Sequence, residues 1–352
     1  MAVYRIYPEQ DTFINSKPTV AGLYGNAGLD EILEIAGYPD PIDPAVGRTK
    51  RTLIQFKTSD ITHAVDNITS GTISASIHLS LANASELPSS YTIEAYPVSQ
   101  SWTNGVGKGD DSPVNRTGCS WKHRNAGVDE WDTLGGDFIT NDVSGSKSND
   151  LTSTHDLDID VTDIVTSHYS SSLSNYGILL KLEDSFENYT SQSVSLKYFS
   201  ADTNTIFPPY LEFKWDDSTY TGSLSALSTD IATVSIKNAK PQYSDQDTVR
   251  FRISARPKYP TRSYTTSSIY LTEYKLPESS YFGIKDEFSG EMIVDFDTVY
   301  TKISADNTSS YFDFIMDSLQ PERHYRLLVK STIDGNTVIF DNKNIFKVVR
   351  HG

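Results

Sequence analysis

Three aspartates at two-residue spacing, Asp156, Asp158 and Asp160, form the densest run of chemistry-bearing side chains in the sequence, with Asp163 just beyond. On a strand that spacing puts all three on one face. Three carboxylates on one face could meet a calcium ion, or serve as the charged face of a solvated strand edge. A second group is aromatic: Trp102, Trp121 and Trp131. Exposed, their faces would stack on sugar rings while nearby Asp and Asn bond the hydroxyls. Buried, they would staple a long loop to a core. A third is the basic turn from Arg256 to Arg262, with Arg256, Lys258, Tyr259 and Arg262 able to contact an acidic neighbour such as another copy of the chain. The same turn also reads as a solvated loop.

Other chemistries find little footing. The seven His stand at 63, 78, 123, 155, 168, 324 and 351, without the HExxH spacing of a zinc protease. There is no GxSxG, no P-loop and no GxGxxG. A carboxylate pair for glycoside hydrolysis must face across a cleft, and Glu130 with Asp137 is only one of many pairs an acidic chain offers. The lone Cys119 excludes an intrachain disulfide and a thiolate zinc site. It reads as a small packed side chain. The expectation is therefore a non-enzymatic protein with no cofactor, calcium being the one candidate.

The elements that carry these residues read as strands. YTIEAYPVSQSW alternates, with Tyr91, Ile93, Ala95 and Pro97 on one side, and GTISASIHLSLANAS reads as one strand with Ile73, Ala75, Ile77, Leu79 and Leu81 inward. RTLIQFKTSDI is a strand that stops at Thr-Ser-Asp. NYGILLKLED is a strand of the fully buried kind. Between Gly118 and Asp137 neither period holds, so a loop is expected there, followed by a mobile polar segment to about Asp150. After LDIDV, a short helix is expected from Thr162 or Asp163, with Ile164, Val165 and His168 on its inner face. It would be the only sizeable helix of the first part.

About eight or nine strands up to Trp215 point to an all-β jelly-roll sandwich over residues 1–217. The Ser/Thr-rich stretch 218–230 reads as a linker. Seven or so short strands then point to a smaller immunoglobulin- or fibronectin III-like sandwich over 231–352, with Asp334-Gly335 as a hairpin turn. Charge divides at the same place. Residues 1–217 hold 14 Lys+Arg against 30 Asp+Glu, and 218–352 hold 16 of each, which accounts for the net charge of −16. An acidic surface disfavours direct nucleic-acid binding. No apolar run approaches a membrane span, and the first residues lack the charged start and apolar run of an export leader. A soluble protein made in the cytoplasm is expected.

The first part resembles the DNRLRE-type, carbohydrate-binding-module-like jelly roll. The matching pieces are DTFI at Asp11–Ile14, NAG at Asn26–Gly28, RTLIQF at Arg51–Phe56 with Asp60-Ile61, and SIHLSLANA at Ser76–Ala84. They continue with VSQSW at Val98–Trp102, GCSW at Gly118–Trp121, EWDTLGGD at Glu130–Asp137, IDVTDIV at Ile159–Val165, NYGILLK at Asn175–Lys181 and PYLEFKW at Pro209–Trp215. His168 and Tyr169 depart from the family, where many members have a further Trp. The family occurs in secreted polysaccharide-active proteins and in viral particles, so the resemblance sets the fold more than the function. Over Ser309–Arg350, SSYFDFIMDSLQPERHYRLLVKS and IFDNKNIFKVVR resemble the C-terminal domain of virion structural proteins from T4-like tailed phages of marine bacteria. That resemblance implies a multi-copy component of a virion neck, collar, tail or capsid surface, with other virion proteins (portal or neck, tail, capsid) as partners. The alternative is a protein that binds host glycans through the jelly-roll tryptophans.

Overall fold

The computed structural model describes residues 3–18, 23–68, 72–109, 111–125, 128–141, 143–261 and 272–351. Among them the chain is all-β, with two α-helices. Contacts divide it into two units, one made of residues 6–67 and 74–212, the other of 1–5, 68–73 and 213–352.

The first unit is built from β2 (Gln10–Asn15), β3 (Ile32–Pro39), β4 (Gly47–Gln55), α1 (Thr58–Asp66), β5 (Ser74–Leu79), β6 (Leu81–Ser85), β7 (Ser90–Pro97), β8 (His123–Asn125), β9 (Asp129–Glu130), β10 (Gly145–Asp150), β11 (Leu157–Asp160), α2 (Thr162–Tyr169), β12 (Ile178–Leu182) and β13 (Val194–Phe199). β1 (Val3–Ile6) and β14 (Tyr210–Lys214) span its borders. One sheet runs β1-β14-β5-β11, and a larger one runs β10-β7-β12-β4-β3-β13-β6 with β2 paired to β4. β4 is the hub of the larger sheet. Its residues 50–55 pair with β2, 47–50 with β3 and 52–54 with β12. The inward faces follow the period-2 reading: Tyr91, Ile93 and Ala95 on β7 are buried, and so is every residue of β12. α2 buries Ile164, Val165 and His168, as its spacing predicts.

Three expectations change. GTISASIHLSLANAS is two strands, β5 and β6, in different sheets. The break falls at Ser80, where the Leu81 N–H leaves the ladder and donates to Asp156 Oδ1 at 2.7 Å. β4 does stop, at Gln55, but the Thr-Ser-Asp that follows opens a second helix of the first part, α1, which buries Ile61 and Ala64 one turn apart, so α2 is not the one sizeable helix expected. The polar segment before Asp150 is the edge strand β10, paired to β7 from Gly145↔Ala95 to Asp150↔Ser90.

The second unit holds β15 (Ala232–Ile236), β16 (Gln242–Ser244), β17 (Thr248–Pro257), β18 (Ser280–Asp286), β19 (Met292–Val294), β20 (Ser304–Ala305), β21 (Ser310–Ile315), β22 (His324–Ile333) and β23 (Asn336–Val349). Its two sheets run β15-β17-β21-β20 and β16-β23-β22-β18-β19. The core is aromatic. Phe282 stacks on Phe312 at 4.3 Å between centroids, and Phe251, Tyr243 and Phe346 pack edge-on or tilted around them. Such ring packing fills the space between the two sheets without a disulfide or a tryptophan from any of these strands. The Tyr325 hydroxyl donates to the Gln320 carbonyl at 2.7 Å, five residues upstream. This is the tyrosine corner of such sandwiches, written in the sequence as LQPERHY. Asp334 and Gly335, both at positive φ, make the expected two-residue hairpin turn between β22 and β23.

Residues 218–230, expected as a linker, are instead woven into this unit. Thr219 and Thr221 exchange backbone hydrogen bonds with Ala305, Leu227 donates to the Lys275 carbonyl, and the Leu227 side chain is buried. Ser/Thr-rich composition reports exposure of side chains, not freedom of the backbone.

Candidate functional site

The motif pieces that lie far apart in the sequence meet around one buried amide. Asn26 is 1% exposed. Its Nδ2 donates to the carbonyls of Asn104 (2.6 Å) and Cys119 (2.9 Å), while its Oδ1 accepts from the N–H groups of Gly107 (2.8 Å) and Gly28 (3.3 Å). One side chain thus ties the NAG turn, the Asn104-Gly105 turn and the GCSW segment together. The backbones come so close that a Cβ on Gly118 would sit 2.2 Å from the Asn104 carbonyl oxygen, and only glycine fits.

The tryptophans face this knot from inside. Trp102, Trp121 and Trp131 are 4%, 9% and 4% exposed and pack with Ile14, Leu53, Val98, Cys119 and Leu179. Trp102 Nε1 donates to the Tyr176 carbonyl at 2.8 Å, and Trp131 Nε1 to the Ser120 carbonyl at 3.0 Å. The proposed sugar platform of these three rings therefore does not exist: their faces are spent on the core, and the loop is pinned by them. Arg51 closes the site from the sheet. Its guanidinium forms a bidentate pair with Glu187 at 2.7 Å, donates to the Gly135 carbonyl at 2.8 Å and lies 5.1 Å from the Trp121 ring. The buried Lys181 joins the same network through Glu187 at 3.6 Å, and it also bonds Glu94 at 3.1 Å and Asp184 at 2.8 Å.

The candidate acids and nucleophile are equally committed. Asp137 accepts from the N–H groups of Asp132 (2.6 Å) and Thr133 (2.7 Å), capping the turn of EWDTLGGD, and Glu130 pairs with Lys122 at 2.7 Å. Cys119 is fully buried, and burial pushes its thiol well above the usual range. It is no nucleophile.

The calcium trio is also dispersed in role. Asp156 caps the β5/β6 break, Asp158 lies 3.5 Å from His78 Nε2, and Asp160 accepts from the Thr162 N–H (2.9 Å) and hydroxyl (2.6 Å) at the start of α2. Among the described residues no group of three or more His, Cys, Asp or Glu is placed to hold a metal ion. Only Asp158 and Asp160 lie on β11, both on its exposed face; Asp156 precedes the strand, and each carboxylate has its own partner. Of the basic turn, Tyr259 is 76% exposed beside the Lys258 ammonium at 5.8 Å. Arg256 sits at the end of β17, and Arg262 lies outside the described residues.

Sequence reasoning missed a cleft of about 380 Å³ on the larger sheet, lined by Phe13 and Asn15 on β2, Glu34 on β3, Lys50 on β4, Lys197 on β13 and Lys17 beyond β2. Neighbours here come from four strands, and no local spacing announces them.

No family model matches the chain, and no curated protein matches it. Among solved structures, the Fcho1 Mu homology domain of Danio rerio with bound Eps15 peptide is similar over 91% of this chain and 90% of that one, at 6% identity and a TM-score of 0.13. A similarity at that score carries no argument about fold or function.

Proposed function

We propose that the chain is a non-enzymatic structural or adaptor protein of a tailed-phage particle, present in several copies on the neck, collar, tail or capsid surface and bound to other virion proteins. The observation that carries this reading is the likeness over Ser309–Arg350. That stretch supplies β21, β22 and β23 with the tyrosine corner, a large share of the second sandwich. The jelly-roll resemblance of the first part supports it too, since two of its quoted pieces, NAG and GCSW, meet at the Asn26 knot, where they hold structure. The second unit offers docking surface: Tyr259, Phe288 and Ile339 are 76%, 80% and 54% exposed, and residues 218–352 carry 16 Lys+Arg against 16 Asp+Glu. Exposed apolar side chains on a unit of balanced charge favour association.

Mass spectrometry of purified particles from the phage that encodes the chain tests the reading. The protein is expected in multiple copies per particle. Its absence, or presence at trace level only, would sink the proposal.

A further inference from the structure

The second unit leaves one stretch of sheet edge open. We propose that two copies of the chain join there, β23 against β23, antiparallel about a two-fold axis at Val338, so that one sheet runs on into the other. The inference goes beyond the particle reading and holds or fails on the purified chain.

The other edges of this unit are short or held. β20 and β19 are two and three residues long, and β15 has its Val234 carbonyl bonded by Asn342 Nδ2. β23 runs for 14 residues, yet β16 covers its outer side only at Lys347, Val348 and Val349. At its other end, β23 pairs with β22 from Asn336↔Ile333 to Phe340↔Val329. The residues flanking a two-residue turn exchange both hydrogen bonds, and every second pair beyond them does the same. Asn336, Val338 and Phe340 are therefore spent on β22, while the N–H and C=O groups of Thr337 and Ile339 point away from it. Among the described residues nothing bonds those four groups. The side chains suit pairing: Thr-Val-Ile-Phe is β-branched and aromatic, without charge or proline, and Ile339 is 54% exposed. Only beyond this stretch is the edge blunted, where the register shifts and Lys343 stands at positive φ.

A second copy is the occupant this edge fits. With the axis at Val338, Thr337 of each copy faces Ile339 of the other. The four free groups of one edge then meet the four of its copy in four hydrogen bonds, with none left over, and the pairing ends before the bulge. Val338 meets its own counterpart, and Thr337 meets Ile339, cross-strand pairs that sheets favour. Charge agrees. Residues 335–340 carry none, and residues 218–352 hold 16 Lys+Arg against 16 Asp+Glu, so two second units approach without net repulsion. A strongly charged partner finds no counter-charge on this stretch. The contact is the same patch on both copies, so it closes as a pair. An edge of five residues a side, Asn336 to Phe340, buries far less than the ~1,200 Å² of a stable complex. Free chains therefore pair weakly, and the edge acts where copies are already held side by side.

Sedimentation velocity of the full chain, from about 10 μM to about 1 mM, tests this together with cysteine pairing. A monomer is expected at the low end and a reversible dimer at the high end. Ile339→Pro removes two of the four hydrogen bonds without touching a bond to β22, and Ile339→Lys puts a charge on the edge. Each should weaken the dimer at least about tenfold, and circular dichroism confirms folding of both. In Val338→Cys the two thiols face each other across a non-hydrogen-bonded pair, with Cα atoms about 4.5 Å apart, close enough for a disulfide. That variant should oxidise to a covalent dimer at least about tenfold faster than Phe288→Cys, whose site is 80% exposed but lies in the turn between β18 and β19. Buried Cys119 stays out of both reactions. A chain still monomeric at about 1 mM, a dimer untouched by both Ile339 variants, or equal oxidation of the two cysteine variants would overturn the assignment. So would growth beyond a dimer, which would mean that β23 meets a different edge.

Discussion

The two units solve one problem, holding loops and sheets in register without a disulfide, by different means. The second unit does it with rings. Phe251, Phe282, Phe312 and Phe346 fill the space between its sheets, and one tyrosine hydroxyl fixes the corner. The first unit does it with polar side chains that reach backbone groups across large sequence distances. Asn26 bonds residues 78 and 93 positions away, and Arg51 reaches Gly135. Ring packing is broad and tolerant of small changes. A buried amide with four partners is not, since its loss strands every group it served.

That contrast can be broken from either side. The largest effect is expected at the knot: Asn26→Ala removes four hydrogen bonds and should cost about 4 kcal/mol or more, with loss of one thermal transition in calorimetry while a second persists. Asn26→Ala losing less than about 1 kcal/mol would mean that the loops are held by the tryptophans alone. Phe282→Ala, in the stacked pair with Phe312, should cost about 3–4 kcal/mol and shift only the other transition.

Next comes Asp11, a carboxyl 2% exposed. Burial, opposed by a hydrogen bond from the Ala201 N–H, raises its pKa from the ordinary 3.8 to about 7. A raised carboxyl pKa means that the fold prefers the protonated form, so stability falls as pH rises from about 4 to 7. Asp11→Asn should therefore stabilise by about 2–4 kcal/mol at neutral pH and change nothing below pH 4. A urea titration series across pH would read this directly.

His168 has the opposite sign. Burial lowers its pKa from 6.5 to about 4, and its Nε2 has no hydrogen-bond partner. The fold holds it neutral, so its contribution is lost as pH falls from 6.5 towards 4. His168→Leu should flatten that limb, recovering about 2 kcal/mol near pH 4, and an unchanged acid limb would refute it. The smallest expected effect is Tyr325→Phe, about 1 kcal/mol for one hydroxyl, read as a shift of the second unit's midpoint alone.

How much of this was legible follows from periodicity. β7, β12 and α2 could be read because each presents one face to a core, and a face leaves a pattern. The edge strand β10 could not: its less exposed face carries Gly145, Lys147 and Asn149 and its outer face Ser146, Ser148 and Asp150, so burial alternates but no apolar side chain marks it. α1 was hidden by its length, since nine residues carry only two buried positions. The burial of the tryptophans was one of two readings, and sequence could not choose, because an indole that lines a loop and one that pins it share the same neighbours in the chain. The lysine cleft is assembled by strand pairing alone, with Lys17 and Lys197 180 positions apart. Where the fold brings distant positions together, spacing says nothing.

The single cysteine gives this knot a built-in clock. Cys119 is the chain's only thiol, it is 0% exposed, and its carbonyl is one of the groups Asn26 holds. Alkylating reagents attack the thiolate, so in the closed fold the sulfur is both unreachable and unionised. Each labelling event must then record one opening of the loop. With reagent slow relative to reclosing, the labelling rate gives the free energy of that opening separately from global unfolding. A chain with no engineered probe thereby reports, one covalent mark at a time, how often its most tightly tied segment comes undone.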